Sequence, residues 1–384
     1  MSIPIPAEDP RHVPNRAVID PSAITHNARE ITSVLQEQTA LMAVVKADGY
    51  GHGMLDAARA ALEGGATWLG VAHPASALAL YRAGLDVPIL TWLYEPVTAA
   101  ELLPEVISVG IDISVGSPKM LQMVSEIAHR IERRARVHLA IDSGMGRGGV
   151  HPGAVRAMGA ALHEDDYVNV VGAWTHLAAA DDPDDPMTDE QVAVFDRAVE
   201  ALSEHVGPIP LQHIAASAAT LTRPDLHRDI VRCGIALYGY PPVPTDLDLR
   251  PAMTLTSRLA MVKSVPAGQA IGYGHTRITV EPTRLGLVPI GYADGLHRAA
   301  SDQVSVLVRT ADGDQRASQL GRISMDQIVI DLGPESTAAP GDEVIIFGSE
   351  PGAPTAEDWA RAGDTISYEV LTSVSGRVAR EVRA

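Results

Sequence analysis

The chain has 384 residues and a formal net charge of −18 at pH 7. That length suits two domains at ~100–200 residues each, and the acidic excess argues against nucleic acid or an anionic membrane as a partner. The single cysteine, Cys233, excludes an internal disulfide framework and fits a reducing, cytoplasmic setting.

Taken in order, residues 1–15 read as a proline-rich tail with no apolar signal core. Asp20-Pro21-Ser22 reads as a helix start, followed by helical spacing of Ile24, Ile31, Val34 and Leu35. Leu41 to Val45 is a short apolar run bounded by turn residues, the pattern of a buried strand, and it leads straight into Lys46. A helix is expected over about 54–64, then a strand at Trp68 to Ala72. The alternation continues with strand-like runs at Pro88–Trp92, Ile111–Val115, Val137–Ile141, Val170–Trp174, Leu211–Ile214 and Asp229–Arg232. Eight such units within residues 16–245 match the size of a (β/α)8 TIM-like barrel, although doubly wound sheets alternate in the same way.

The texture changes at Pro241-Pro242-Val243-Pro244, read as a boundary. Residues 246–384 carry β-rich runs at Leu255–Val262, Leu285–Ile290, Val304–Val308, Ile328–Leu332 and Val344–Phe347, and are expected to form a mostly β C-terminal domain. Thr365 to Val382 should hold a helix and a final short strand. No apolar run approaches the ~20 residues that a membrane helix needs.

Lysine is scarce: only Lys46, Lys119 and Lys263 occur. Lys46 falls at the end of a buried strand, which in a parallel barrel is the face that carries chemistry. Poor solvation there lowers an amine's pKa toward neutrality and makes it a nucleophile for an aldehyde cofactor. On placement alone it is more simply read as a solvated strand end. The same two readings hold elsewhere. Arg147, after a tight turn, is either a carboxylate-gripping fork or a surface arginine. His176, after another strand, is either a site residue or a packed polar one. Tyr273, between glycines, is either a proton carrier or a hairpin residue.

The wider pattern favours chemistry. Residues 44–53, V-V-K-A-D-G-Y-G-H-G, closely resemble the pyridoxal-phosphate signature of the alanine racemases. The resemblance continues in blocks through Asp142-Ser143-Gly144-Met145-Gly146-Arg147, His213-Ile214-Ala215-Ala216-Ser217, Arg232-Cys233-Gly234-Ile235, Gly272-Tyr273-Gly274, Gly291-Tyr292-Ala293-Asp294-Gly295, Arg322-Ile323-Ser324-Met325-Asp326 and Ser367-Tyr368-Glu369, to Arg380. It implies pyridoxal 5'-phosphate attached to Lys46. His176 would lie beside the cofactor ring and Arg232 against its pyridine nitrogen. The phosphate would be held by Ser217, Gly234, Ile235, Tyr50 and Tyr368. Arg147 and the Met325 backbone would meet the substrate carboxylate, and Tyr292 with Tyr368 would narrow the channel. Asp181 and Arg298 match more peripheral positions. An arginine does not give up its proton, so the facing nitrogen stays unprotonated and the electron sink is shallow, which favours racemisation over transamination.

Racemisation needs a proton carrier on each face of the reacting carbon. The resemblance assigns these roles to Lys46 and Tyr273, the latter reaching the barrel of a partner subunit, so that a homodimer shares two sites. It implies interconversion of L- and D-alanine in the cytoplasm, supplying D-alanine for peptidoglycan. Three departures stand out. Ala140 replaces the family's usual lysine, Ala216 replaces an asparagine beside Ser217, and the terminal block ends Arg380-Glu381-Val382 without its tyrosine. These leave a racemase of another small amino acid, such as serine, as the alternative; a non-catalytic pyridoxal-phosphate carrier or a decarboxylase fits the second domain less well.

Overall fold

The computed structural model describes residues 14–383, so most of the expected tail lies outside the described residues. The chain forms two compact units. One comprises Ile24–Gly49 and Met54–Leu249; the other comprises the described residues up to Ala23, Tyr50–Gly53, and the chain from Arg250 onward.

The first unit is a nearly closed parallel barrel. Its strands are β1 (Ala40–Val44), β2 (Trp68–Val71), β3 (Ile89–Thr91), β4 (Asp112–Val115), β5 (Ala135–Ala140), β6 (Val168–Trp174), β7 (Leu211–His213) and β8 (Ile230–Cys233). Each of β1 to β6 pairs with the next, and β8 pairs back with β1, which separates this fold from an open doubly wound sheet. The β7–β8 seam is spanned by the bridge Ala216–Arg232 and by the Arg232 N–H, which donates to the Ala215 carbonyl at 3.0 Å. Strands β2, β3, β4 and β8 are buried along their whole length, as continuous apolar runs covered on both faces should be. The connecting helices 74–82, 96–108, 118–131 and 152–163 each begin on a proline, where the missing N–H costs nothing and the fixed φ suits a first turn. Met42, Trp68, Leu90 and Ile230 pack together across β1, β2, β3 and β8.

The second unit is built on a nine-stranded sheet. In spatial order its strands are Met261–Val265, Thr283–Val288, Ile328–Asp331, Gly313–Leu320, Ser305–Thr310, Glu343–Phe347, Met253–Arg258, Arg16–Ile19 and Ala379–Val382. The apolar run expected as one strand over 255–262 is two strands that lie far apart in that order. Between them Leu259 bonds to Asp342 and Gly341, and Ala260 donates to Leu287, so the chain changes partners. Arg16–Ile19 runs antiparallel to Met253–Arg258 and parallel to Ala379–Val382. A separate ribbon, Ala270–Ile271 with Arg277–Ile278, carries Tyr273 at its turn. Among the described residues no helix is long and apolar enough to cross a membrane.

Candidate active site

The barrel holds most of the expected site residues at or just beyond the C-terminal ends of its strands, the end that carries active sites in such barrels. Lys46 follows β1. After it the backbone turns the wrong way for L-residues: Ala47, Asp48, Gly49 and Tyr50 have φ of 52, 54, 62 and 53°. Left-handed backbone costs roughly 1–2 kcal/mol per non-glycine residue, and such strain collects where a site dictates geometry. The turn is held by the Gly49 N–H on the Val45 carbonyl, 3.0 Å, and by Asp48 Oδ1, which accepts the Met54 N–H at 2.9 Å.

Lys46 is exposed, yet desolvation lowers its pKa, and the positive charges of Arg147 and then Arg232 lower it further. The two observations fit a side chain in a crowded recess that water can still reach. Its amine is therefore more nucleophilic than that of a surface lysine.

Arg232, on β8, is 6 % exposed. Its Nη1 donates to the His213 carbonyl at 2.8 Å, and its Nη2 donates to the Thr175 carbonyl at 2.8 Å and the Ile214 carbonyl at 3.2 Å. Its guanidinium carbon sits 5.0 Å from the centroid of the Trp174 ring, a favourable cation–π placement. Burial lowers its pKa to about 9, so it stays charged at neutral pH. The neighbouring Cys233 thiol is pushed up to about 12 by burial and remains a packed thiol. His176 follows β6, with Nδ1 3.4 Å from Arg232 Nη2. Desolvation, then Arg232, Arg147 and Lys46, lower its pKa to about 3.

Arg147 projects from an exposed loop after β5. Asp142 Oδ1 accepts the N–H groups of Gly144 (3.2 Å) and Gly146 (3.0 Å), which shapes the turn. A residue with no local motif, the fully buried Gln191, joins this loop to the His176 segment. Its Nε2 donates to Ser143 Oγ at 3.2 Å and to the His176 carbonyl at 3.1 Å, and its Oε1 accepts the Ala178 N–H at 2.8 Å. Ser217 opens helix 217–222, and its Oγ accepts the Gly234 N–H at 3.1 Å; Ile235 begins the adjacent 3-10 turn. Asp181 is exposed.

The second unit holds the remaining candidates, and two of its loops, at Tyr292 and Met325, pack against each other. A Cβ on Gly291 would lie 2.3 Å from the Met325 carbonyl oxygen, so glycine permits the two loops to touch. The Tyr292 and Ala293 N–H groups donate to the Ser324 and Met325 carbonyls at 3.0 Å each. Buried Asp294 accepts the Gly291 N–H at 2.8 Å, and its own carbonyl accepts the Ser375 N–H at 3.0 Å, just past the helix that carries Tyr368. The Tyr368 ring lies 6.1 Å from that of Tyr50. Tyr292 and Met325 are exposed, as is Arg298 at the start of a 3-10 turn. Tyr273, 69 % exposed, stands on the loop beside Arg322.

The donor set suits pyridoxal phosphate. It offers a lysine of lowered pKa, a buried cation to face a ring nitrogen, and backbone N–H groups with a serine hydroxyl of the kind that meets a phosphate.

Comparison with known proteins agrees. Residues 19–242 match the family model for the alanine racemase N-terminal domain, and residues 252–382 match that for the C-terminal domain. The chain is 46 % identical over 374 residues to the alanine racemase of Thermobifida fusca, covering 95 % of this chain and 96 % of that one. It is 47 % identical over 383 residues to that of Streptomyces coelicolor, covering 95 % of each. The crystal structure of alanine racemase from Streptomyces lavendulae superposes with a TM-score of 0.91 at 42 % identity, covering 97 % of both chains. The chain belongs to the alanine racemase family.

Proposed function

We propose that the protein interconverts L- and D-alanine with pyridoxal 5'-phosphate, and that Lys46 and Tyr273 carry the two protons. The observation that carries this reading is Lys46, a lysine of lowered pKa at the end of a barrel strand, under the influence of two guanidinium groups. Pyridoxal phosphate, when bound, draws electrons from the substrate Cα and acidifies its proton. Lys46 would hold the cofactor, and its amine moves a proton on the D-face. Tyr273 moves a proton on the L-face. Its exposure and its place on a turn suit service to the barrel of a second copy, so that a homodimer shares its sites. Arg147 grips the substrate carboxylate, helped by the Met325 backbone. Arg232 would face the ring nitrogen and, being charged at neutral pH, would leave it unprotonated. Neutral His176 lies beside the ring. Ser217, Gly234, Ile235, Tyr50 and Tyr368 hold the phosphate, and Tyr292 with Tyr368 limits the side chain to a small one. The reaction belongs to the cytoplasm, where D-alanine enters peptidoglycan synthesis.

Lys46→Ala tests the core of this reading. Racemase activity should vanish, together with the yellow, borohydride-trappable adduct of the wild-type chain. Racemisation at the wild-type rate by that variant would overturn it.

A further inference from the structure

A line of buried side chains leads from Arg232 through the barrel to its opposite end. Arg232 Nη1 lies 3.2 Å from His213 Nδ1, His213 Nε2 lies 2.9 Å from His138 Nδ1, and His138 Nε2 lies 3.0 Å from Asp112 Oδ2. Asp112 also accepts two bonds from Arg136, from Nε at 2.5 Å and Nη2 at 3.3 Å. Both imidazoles are fully buried and Asp112 is 1 % exposed. Asp112 is the first residue of β4, so the line starts far from the Lys46 end of the strands.

The two ends of the line leave one proton arrangement that satisfies every contact. Arginine only donates and an ionised carboxylate only accepts. Asp112 therefore takes the Nε2–H of His138. The bare Nδ1 of His138 takes the Nε2–H of His213, and the bare Nδ1 of His213 faces Arg232. A second proton on His138 would place an N–H against His213 Nε2 and force that ring's proton to Nδ1, setting an N–H against the Arg232 donors. Burial, Arg232 and His138 also disfavour a charged His213.

The backbone is shaped for this line. Pairing between β5 and β6 shifts register at its middle: Val137 faces Val170, but His138 faces Gly172. A Cβ on Gly172 would lie 2.3 Å from His138 Nδ1. A bulge and a glycine thus make room for one imidazole. His213 is stacked parallel to Trp174, the indole over which Arg232 sits.

We propose that Asp112, His138 and His213 are positioning residues for Arg232: the remote carboxylate fixes both imidazole tautomers, and these fix the guanidinium. The role toward the cofactor rests on the reading that Arg232 faces the pyridine nitrogen. In Asp112→Asn the amide oxygen turns to the Arg136 cation, and the amide NH2 faces His138. Both imidazoles then change tautomer, and His213 confronts Arg232 with a donor. Outer partners of this kind are worth about 10–100-fold in activity.

The test is imidazole-nitrogen NMR on the full-length chain labelled with 15N-histidine, as purified and again saturated with pyridoxal phosphate. Wild type should show His138 and His213 neutral, protonated at Nε2 and bare at Nδ1. Asp112→Asn should show both protonated at Nδ1, with kcat lowered about 10–100-fold and KM for alanine little changed. Gly172→Ala, which leaves every charge in place, should displace the same two resonances. The proposal is overturned by the opposite tautomers or a cationic ring in wild type at pH 7, by unmoved rings in a folded Asp112→Asn, or by an unmoved kcat in that variant. The wild-type spectrum decides even if the variants do not fold. The tautomers do not depend on the cofactor, so this result stands apart from the Lys46 adduct.

Discussion

The Arg232 guanidinium reaches His176 with Nη2 at 3.4 Å from Nδ1, and so fixes a histidine as a neutral acceptor in the middle of a cationic site. With its pKa lowered to about 3, His176 stays uncharged throughout the neutral range. The unfolded chain binds that proton near pH 6.5, the folded chain only near 3, so between these values the unfolded state holds more protons. Stability attributable to His176 is therefore full above about pH 6.5 and is lost as pH falls toward 3. Urea melts at pH 7.5 and pH 5 should show a smaller drop for His176→Gln than for wild type; an equal drop would mean that His176 is not held neutral.

Gln191→Leu should weaken the site without touching substrate. The change removes three hydrogen bonds and strands the Ala178 N–H and the His176 carbonyl. Each buried group left unpaired costs about 1–3 kcal/mol. Because Gln191 ties the Arg147 loop to the His176 segment, KM for alanine should rise more than kcat falls. Steady-state kinetics beside a denaturant melt would show both, and unchanged KM would remove Gln191 from the site.

Gly51→Ala separates strain from collision. Gly51 has φ +84°, and an added Cβ would lie 2.6 Å from the Leu371 carbonyl oxygen, a backbone atom that cannot rotate away. Gly268, at φ +81°, has nothing within 4 Å. Gly268→Ala should cost about 1–2 kcal/mol from the left-handed backbone alone. Gly51→Ala should cost that plus a further ~1–3 kcal/mol for overpacking. Denaturation midpoints would report the difference; equal losses would show that the collision is relieved.

Tyr273→Phe should slow turnover by about 10²–10⁴-fold, the usual worth of a positioned proton carrier. Exchange of the Cα proton with solvent deuterium, followed from each enantiomer separately, should slow unequally. Equal slowing would argue against one base per face.

Much of the barrel was legible because its strands are covered on both faces, so burial wrote uninterrupted apolar runs such as Leu41–Val45 and Trp68–Ala72. The strand Gly313–Leu320 was not legible. It alternates polar residues on a half-exposed surface, and nothing local marks it. Glycines at 49, 51 and 53 announced a turn after Lys46, but not that Ala47, Asp48 and Tyr50 would share its left-handed backbone. Gln191 sits in the helix Met187–Val206, and its three partners come from two distant loops, so no window of sequence contains the reason for it. His138 and His213 stand on separate strands 75 residues apart, and only the barrel lays them side by side.

The pairing of Arg16–Ile19 also bears on how the protein is made. That segment leaves the ribosome early, yet one neighbour in its sheet is Met253–Arg258 and the other is Ala379–Val382. At ~5–20 residues per second, the first of these follows after on the order of ten to fifty seconds, and the second later still. Throughout that interval an apolar edge is exposed to whatever the cell offers, so a trigger-type chaperone acting on the nascent chain should raise the yield of assembled protein more than one added after release.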